Sequence, residues 1–286
     1  MTLQGPSKTA IACARARACH MLVDDKPWIY EDRTAAALVD LEQQIVDGYD
    51  LEEPKKRIFS ETRSIFLIRE RYGEDMLADA VKDGATQYVV LGAGLNTFAY
   101  NGSDTSRIVT TFEVDHPATQ TWKKSRLDEL GLLDQAKVVY VPVDFASQSV
   151  GDQLLAHGFD SKSPAVFTCT GVCQYIDDSA INATLVEILR VACTGSRLSM
   201  EIIFPLHLLS AKDQNDLEFF KQRSAELGEP WINAQDPDEF TERLRRLGFD
   251  EVELLLHDDA HERYIGDRSD GLKVNNYAAM IKARVL

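Results

Sequence analysis

The sequence predicts an α/β domain, a mostly parallel sheet with helices on both faces, carrying a helical N-terminal extension. Three observations predict it. From Gln87 onward, apolar runs of strand length alternate with helical patterns. The stretch Gln87–Tyr100, QYVVLGAGLNTFAY, is a short buried-strand pattern that ends in glycines and feeds a helical pattern. α/β folds bring backbone close to a nucleotide-like ligand in this way. Finally, Asp115 stands 21 residues after Gly94, at the end of a second strand pattern. That spacing lets an acid reach ribose hydroxyls, so a nucleoside cofactor is expected.

Local signals place the elements along the chain. The first 86 residues read as helical, with helices at Lys8–Leu22, Thr34–Val46 and Glu61–Asp83, the last broken near Gly73. Ser7 is the candidate cap of the first. Strand patterns fall at Gln87–Leu91, Arg107–Val114, Lys137–Val141, Ala165–Thr170 and Arg197–Phe204. Helical patterns lie between them at about Asn96–Asn101, Pro117–Leu130, Val150–His157 and Asp178–Ala192. Pro117 suits a first helical position. Helices near Ala211–Leu227 and Pro237–Leu247 come next, the second with Gly248 as its C-terminal cap. Strand patterns at Glu251–Leu256 and Tyr277–Val285 flank a helix or loop at His261–Ile265, and this late pair suggests an antiparallel strand at the sheet edge. With no repeat or long linker, the chain reads as an extension, 1–86, folded onto a core, 87–286.

Composition narrows the partners. There are 31 Lys and Arg against 46 Asp and Glu, a net charge of −15. Such a balance opposes a nucleic-acid partner, which needs a basic surface. No apolar run reaches the roughly 20 residues of a membrane span. The N-terminus has no uninterrupted apolar core of signal-peptide type. The five cysteines (Cys13, Cys19, Cys169, Cys173 and Cys193) are odd in number and scattered, which suits reduced thiols in a cytoplasmic protein. No histidine spacing suggests a metal site, so none is expected.

The residues after the glycines distinguish between cofactors. A dinucleotide fingerprint wants a third glycine where this chain has Thr97, and there is no Gly-Lys-Ser/Thr as in a phosphate-binding loop. S-adenosylmethionine has no pyrophosphate and asks for less. Gly92 and Gly94 let backbone pass its methionine tail, and Asp115 can hold the ribose. Asp144 and Phe145, at the end of Val138–Phe145 (VVYVPVDF), can read the adenine through a carboxylate and a backbone N–H.

QYVVLGAGLNTFAY, then TFEVDHPATQTWK (Thr111–Lys123) and VPVDF, together resemble the leucine carboxyl methyltransferase family of S-adenosylmethionine-dependent enzymes, particularly its bacterial small-molecule members. The segments TAIACARARACHMLVDDKPWIYEDRTAAALV and RSIFLIRERYGEDML are similar to that group as well. The resemblance implies a class I methyltransferase fold, Rossmann-like, with seven strands, the last antiparallel. It also implies that Arg63 pairs with the methionine carboxylate, Gly92 lies against the tail, Asp115 holds the ribose, and Asp144 with Phe145 holds the adenine. Where the family often has Glu-Gly, five residues before a tyrosine, this chain has Thr170-Gly171 before Tyr175. Thr170 then offers only a hydroxyl or carbonyl to the cofactor's ammonium. Asn96 replaces a common aspartate and caps the next helix equally well.

Each candidate has an ordinary reading beside the functional one. Arg63 is otherwise a surface ion-pair residue, Asp115 a cap for the helix at Pro117, and Asp144 a turn residue. His20 on the first helix and His207 after the fifth strand are candidate general bases, with structural roles as the alternative. Tyr175 faces either the methyl group or the core. Glu113 is a supporting acceptor or the partner of a lysine. The expected function is methyl transfer from S-adenosyl-L-methionine to a carboxylate or hydroxyl oxygen of a small organic molecule, leaving S-adenosyl-L-homocysteine. The extension and an insertion at about 205–231 are the candidates for the lid and pocket wall. Two other readings stand beside it: an NAD-dependent oxidoreductase, which Thr97 argues against, and a non-catalytic cofactor-binding partner protein, to which the loss of acid at Thr170 gives weight.

Overall fold

The computed structural model describes residues 6–103, 105, 109–145 and 147–286. Its centre is a seven-stranded sheet in the order β3-β2-β1-β4-β5-β7-β6. The strands are β1 Gln87–Leu91, β2 Thr110–Asp115, β3 Val138–Pro142, β4 Ala165–Cys169, β5 Arg197–Ile203, β6 Phe249–Leu255 and β7 Ala278–Val285. The pairs β1–β2, β1–β4, β2–β3 and β4–β5 are parallel, while β7 runs antiparallel to both β5 and β6. This is the class I methyltransferase topology. Two of the strand residues expected before Thr110, 107 and 108, lie outside the described residues.

The sheet is buried on both faces because its parallel strands need helices on each side. β1 shows the two-residue period: Val89 and Leu91 enter one core, Tyr88 and Val90 the other. The first core includes Val150, Leu154, Ile181, Leu185 and Phe240 from the helices Val150–Ala156, Asp178–Val191 and Pro237–Leu247. The opposite face is crossed by a long helix, α4 (Arg57–Lys82). Leu67, Ile68 and Tyr72 of α4 meet Leu255 and Met280, and its Met76, Leu77 and Ala80 meet Tyr88, Val90 and Val166.

Four details differ from the sequence expectation. The antiparallel strand is not at the edge: β7 lies inside, and β6 holds the edge. β7 (AAMIKARV) is almost wholly buried, whereas β6 (FDEVELL) exposes acidic residues that discourage further strand pairing. The helix expected over Thr34–Val46 is two, α2 (Arg33–Leu38) and α3 (Leu41–Val46), separated by Asp40 in the left-handed region at φ 54°. Aspartate is among the few residues that visit this region readily. Gly73 does not break α4. A Cβ there would stand 3.2 Å from Thr168 Cγ2, so glycine lets the helix lie close on β4. The helix expected at Asn96–Asn101 is a short 3-10 turn, Phe98–Tyr100. Among the described residues no helix is long and apolar enough to cross a membrane.

Buried charge ties the layers together. Glu113 on β2 pairs with Lys123 of the helix Pro117–Glu129 at 2.6 Å, both side chains only 1% exposed. Lys123 also donates to the Asn96 carbonyl, behind the glycine turn. On the other side of α4, Tyr30 donates to Glu74 at 2.7 Å, and burial pushes the Glu74 carboxyl up to about 7.

Substitutions at these two sites have distinct expected outcomes. Lys123→Met leaves the Glu113 carboxylate buried without its ion-pair partner and should cost about 3–5 kcal/mol in urea unfolding. The double variant Glu113→Gln/Lys123→Met should recover a large part of that loss. For Glu74, a folded-state pKa above the unfolded value means stability that is full at low pH and lost as pH rises through about 7. Wild type should therefore lose roughly 3 kcal/mol between about pH 4 and pH 8 that Glu74→Gln does not lose, measured as the difference between their unfolding free energies.

Candidate active site

The C-terminal ends of the parallel strands form one rim, where open α/β sheets bind ligands. The β1 turn is built by two glycines with positive φ, 67° at Gly92 and 49° at Gly94. The N–H groups of Gly92 and Ala93 both donate to the Val114 carbonyl, at 2.8 and 3.0 Å, extending the pairing with β2 into the turn. The Asp115 carboxylate then accepts the Gly94 N–H and, at 2.6 Å, the His116 N–H. Burial pushes its carboxyl up, opposed first by these two backbone donors. Asp115 does not cap the helix Pro117–Glu129; His116 does, accepting the Ala118 N–H at 3.2 Å. The Val143 N–H donates to the Asp115 carbonyl at 2.9 Å, bringing the end of β3 alongside. Beyond it, Asp144 is exposed and opens a turn whose Ser147 and Gln148 N–H groups donate to its carbonyl, while Phe145 packs on the core.

Thr170 follows β4, and the next residue reveals an acid that the sequence reading missed. The Gly171 N–H donates to Glu201 Oε2 at 2.8 Å. Glu201 sits within β5, 2% exposed, and also accepts Arg69 Nη1 at 2.9 Å. Arg69 is packed against Gly171: a Cβ there would come within 2.9 Å of Nη1. Arg69 Nε has no hydrogen-bond partner, with the Glu70 carboxylate 3.7 Å away. Both residues left a trace in the sequence. Glu201 interrupts the apolar run of β5, and Arg69 falls on the stripe of Ile65, Ile68 and Tyr72 where helical period puts core residues.

Arg63 is not directed to this rim. Its guanidinium forms a bidentate pair with Asp24 at 2.7 and 2.6 Å and donates to the Pro54 carbonyl at 2.6 Å. His20 belongs to the same knot. Its Nε2 accepts the Ile29 N–H at 3.0 Å, which leaves the proton on Nδ1, and Nδ1 donates to Asp24 at 2.7 Å. With both nitrogens used and the ring fully buried, His20 holds the extension together. His207 lies exposed on the short turn Leu206–Leu208.

Tyr175 ends the short turn Cys173–Tyr175 that follows β4. Its hydroxyl accepts the indole N–H of Trp231 at 3.0 Å, the two rings meet edge to face, and burial raises the phenol's pKa. The first helix, α1 (Lys8–Val23), closes over this region. A Cβ on Gly94 would stand 3.2 Å from Ala10 Cβ, and a Cβ on Gly92 would stand 2.2 Å from Val172 Cγ2. The start of α1 is gripped by Glu229, which follows the helix Ala211–Glu226. Glu229 accepts the Ser7 hydroxyl and Lys8 N–H, each at 2.7 Å, and the Thr9 hydroxyl. Farther along α1, Arg17 donates to Asp32 at 2.7 Å and to the Leu95 carbonyl at 2.7 Å. Asp32 in turn accepts the hydroxyl of Thr97 at 2.7 Å. Among the described residues, no three His, Cys, Asp or Glu side chains gather as a metal site.

Comparison with known proteins agrees with this architecture. The profile of the leucine carboxyl methyltransferase family matches residues 10–189. YktD of Bacillus subtilis (strain 168), a candidate S-adenosyl-L-methionine-dependent methyltransferase, is 28% identical, with 93% of each chain covered. Rv3787c of Mycobacterium tuberculosis (strain ATCC 25618 / H37Rv), another candidate of that class, is 31% identical over 69% of this chain and 65% of its own. Among solved structures, a duf574 family protein from Streptomyces avermitilis shares the fold at a TM-score of 0.57 and 15% identity, covering 95% of this chain and 97% of its own. A candidate methyltransferase from Thermobifida fusca does so at 0.56 and 17%, covering 99% and 96%. With its glycine turn, its β2 acid and the sheet order of a class I enzyme, the chain belongs to the leucine carboxyl methyltransferase family of S-adenosyl-L-methionine-dependent methyltransferases.

Proposed function

We propose that this protein methylates a carboxylate oxygen of a small organic acid. The observation that carries the reading is the lack of an available base among the candidates. His20 has both ring nitrogens engaged, His207 is exposed on a surface turn, and the Tyr175 phenol has a raised pKa and holds Trp231. A hydroxyl acceptor needs proton removal. A carboxylate is already ionised and needs only orientation and partial removal of its water. The description of the family, which names a carboxyl acceptor, supports the same choice.

The residues fit the cofactor. In this reading Gly92 and Gly94 offer backbone to the methionine tail, Asp115 takes the ribose, Asp144 and Phe145 take the adenine, and Thr170, with Glu201 beside it, takes the ammonium. The tail carboxylate falls to Arg69, whose Nε lacks a hydrogen-bond partner, in place of Arg63. When bound, S-adenosyl-L-methionine supplies a methyl activated by its sulfonium, so transfer leaves an electron pair on sulfur and takes no proton from the acceptor. Tyr175 and Trp231 orient the acceptor at the rim, and α1 with the insertion keeps water out. Val172 and Ala10 shift to admit the cofactor, because they now fill the space over the glycines.

Calorimetry with S-adenosyl-L-homocysteine tests the cofactor site. Wild type should bind it and ignore NAD. Asp115→Ala should weaken binding at least about tenfold, or about 1.4 kcal/mol. Gly92→Ala should bind none, since its Cβ would occupy the space the methionine tail needs and its φ of 67° is strained for alanine. Mass spectrometry of reactions with matched acids and phenols tests the acceptor. Methyl esters should form, with a rate flat from about pH 6 to pH 8 because a carboxylate near pKa 4 stays ionised throughout. Aryl ethers formed at a rate that climbs with pH would refute the carboxylate reading.

A further inference from the structure

Beside Tyr175 lies a small cavity that the cofactor residues do not line. Its volume is about 150 Å3, and its walls include Phe204, Leu206, Leu217, Trp231 and Ala234. It begins where β5 ends and is bounded by the segment that follows the insertion: the Gln235 N–H donates to the Ile203 carbonyl at 2.8 Å, and the Ile232 N–H to the Gln174 carbonyl at 2.8 Å. Trp231 connects it to the rim through the indole hydrogen bond to Tyr175.

Size and charge define an occupant. An apolar protein cavity of about 150 Å3 takes one benzene ring. The lining here is apolar and aromatic except for Asn233 and one charged residue, Lys221. Lys221 projects from the helix Ala211–Glu226 and is 35% exposed, pairing with Glu218 at 2.7 Å. That exposed pair is weakly held, and an ammonium has three donors, so it can also grip a ligand anion. The chain's net charge of −15 repels anions at long range, but salt screens that field within about 8 Å, so the field at the cavity is set locally by Lys221 and its Glu218 partner.

We infer that this cavity is the acceptor pocket and that it takes a single-ring aromatic carboxylic acid, the ring against Trp231 and Phe204, one carboxylate oxygen on Lys221 and the other turned toward the rim beside Tyr175 to receive the methyl. The inference rests on the carboxylate-methyltransferase reading and adds the substrate class. Methylation removes the charge that Lys221 holds, so the neutral ester leaves a site that retains the acid.

Benzoate, benzamide and 2-naphthoate are titrated into the full chain in the presence of S-adenosyl-L-homocysteine, following tryptophan fluorescence, with Trp231→Phe as the assignment control. Benzoate should quench Trp231, benzamide should bind at least tenfold more weakly, and 2-naphthoate should be excluded. Lys221→Met should abolish the preference for benzoate over benzamide. Lys221→Glu should bind benzylamine, titrated in the same way, in preference to benzoate. Ala234→Phe should block benzoate while leaving homocysteine-product binding by calorimetry unchanged. Equal binding of benzoate and benzamide overturns the inference. So does capture of N-acetyl-leucine without benzoate, or failure of every ring acid while S-adenosyl-L-homocysteine still binds; these results leave the methyltransferase reading standing. Failure of the wild type to bind S-adenosyl-L-homocysteine overturns both.

Discussion

One buried carboxylate holds the cofactor side of this molecule in register. Asp32 is fully buried and receives the Arg17 guanidinium, the Ala35 N–H and the Thr97 hydroxyl. These three donors belong to α1, α2 and the segment just after the glycine turn. A charge in such surroundings is tolerable only when its hydrogen bonds are filled, so the three segments are fixed relative to one another. Arg17 adds a bond to the Leu95 carbonyl, which binds α1 directly to the turn. Thr97 thereby acquires a role. Where a dinucleotide enzyme would put glycine to let a helix approach pyrophosphate, this chain puts a hydroxyl that anchors its own extension.

The same logic organises the rest of the rim. Asp115 commits its oxygens to the backbone N–H groups of Gly94 and His116, and Glu113 is neutralised by Lys123 from the following helix. Glu201 stands under Gly171 and pairs with Arg69. A rim this rich in acid keeps its shape because Asp115, Glu113 and Glu201 are each matched to a backbone donor or a buried cation. Burial of isolated acids would instead drive protonation.

The fold was legible because its signals are local. Seven apolar runs, a Gly-Ala-Gly turn and an acid at the next strand end are all written in contiguous residues, and the observed strands begin and end within a few positions of them. The features that stayed hidden are those decided by tertiary contact. Arg63 and Arg69 lie six residues apart on one helix, and only packing reveals that the first faces Asp24 and the second Gly171. Glu201 interrupts the apolar run of β5, and only the Gly171 N–H on its carboxylate gives it a place at the rim. The order of β6 and β7 depended on which strand could bear an exposed edge, which alternation in β6 hints at and adjacency in sequence does not. His20 had the right residue type for a base, but its hydrogen bonds come from Asp24 and the backbone of Ile29, beyond the helix that carries it.

Glu229 has a larger consequence than a helix cap. It fastens the first turn of α1 to the segment that continues into Trp231, so the covering of the glycine turn and a wall of the neighbouring cavity are mechanically one piece. Displacing α1 from Gly94 pulls on that wall. Two ligands that meet through such a shared part are energetically linked, and linkage is symmetrical: the factor by which one alters the affinity of the other is returned in full. Ligands bound on the two sides of Glu229 would be coupled through that shared part.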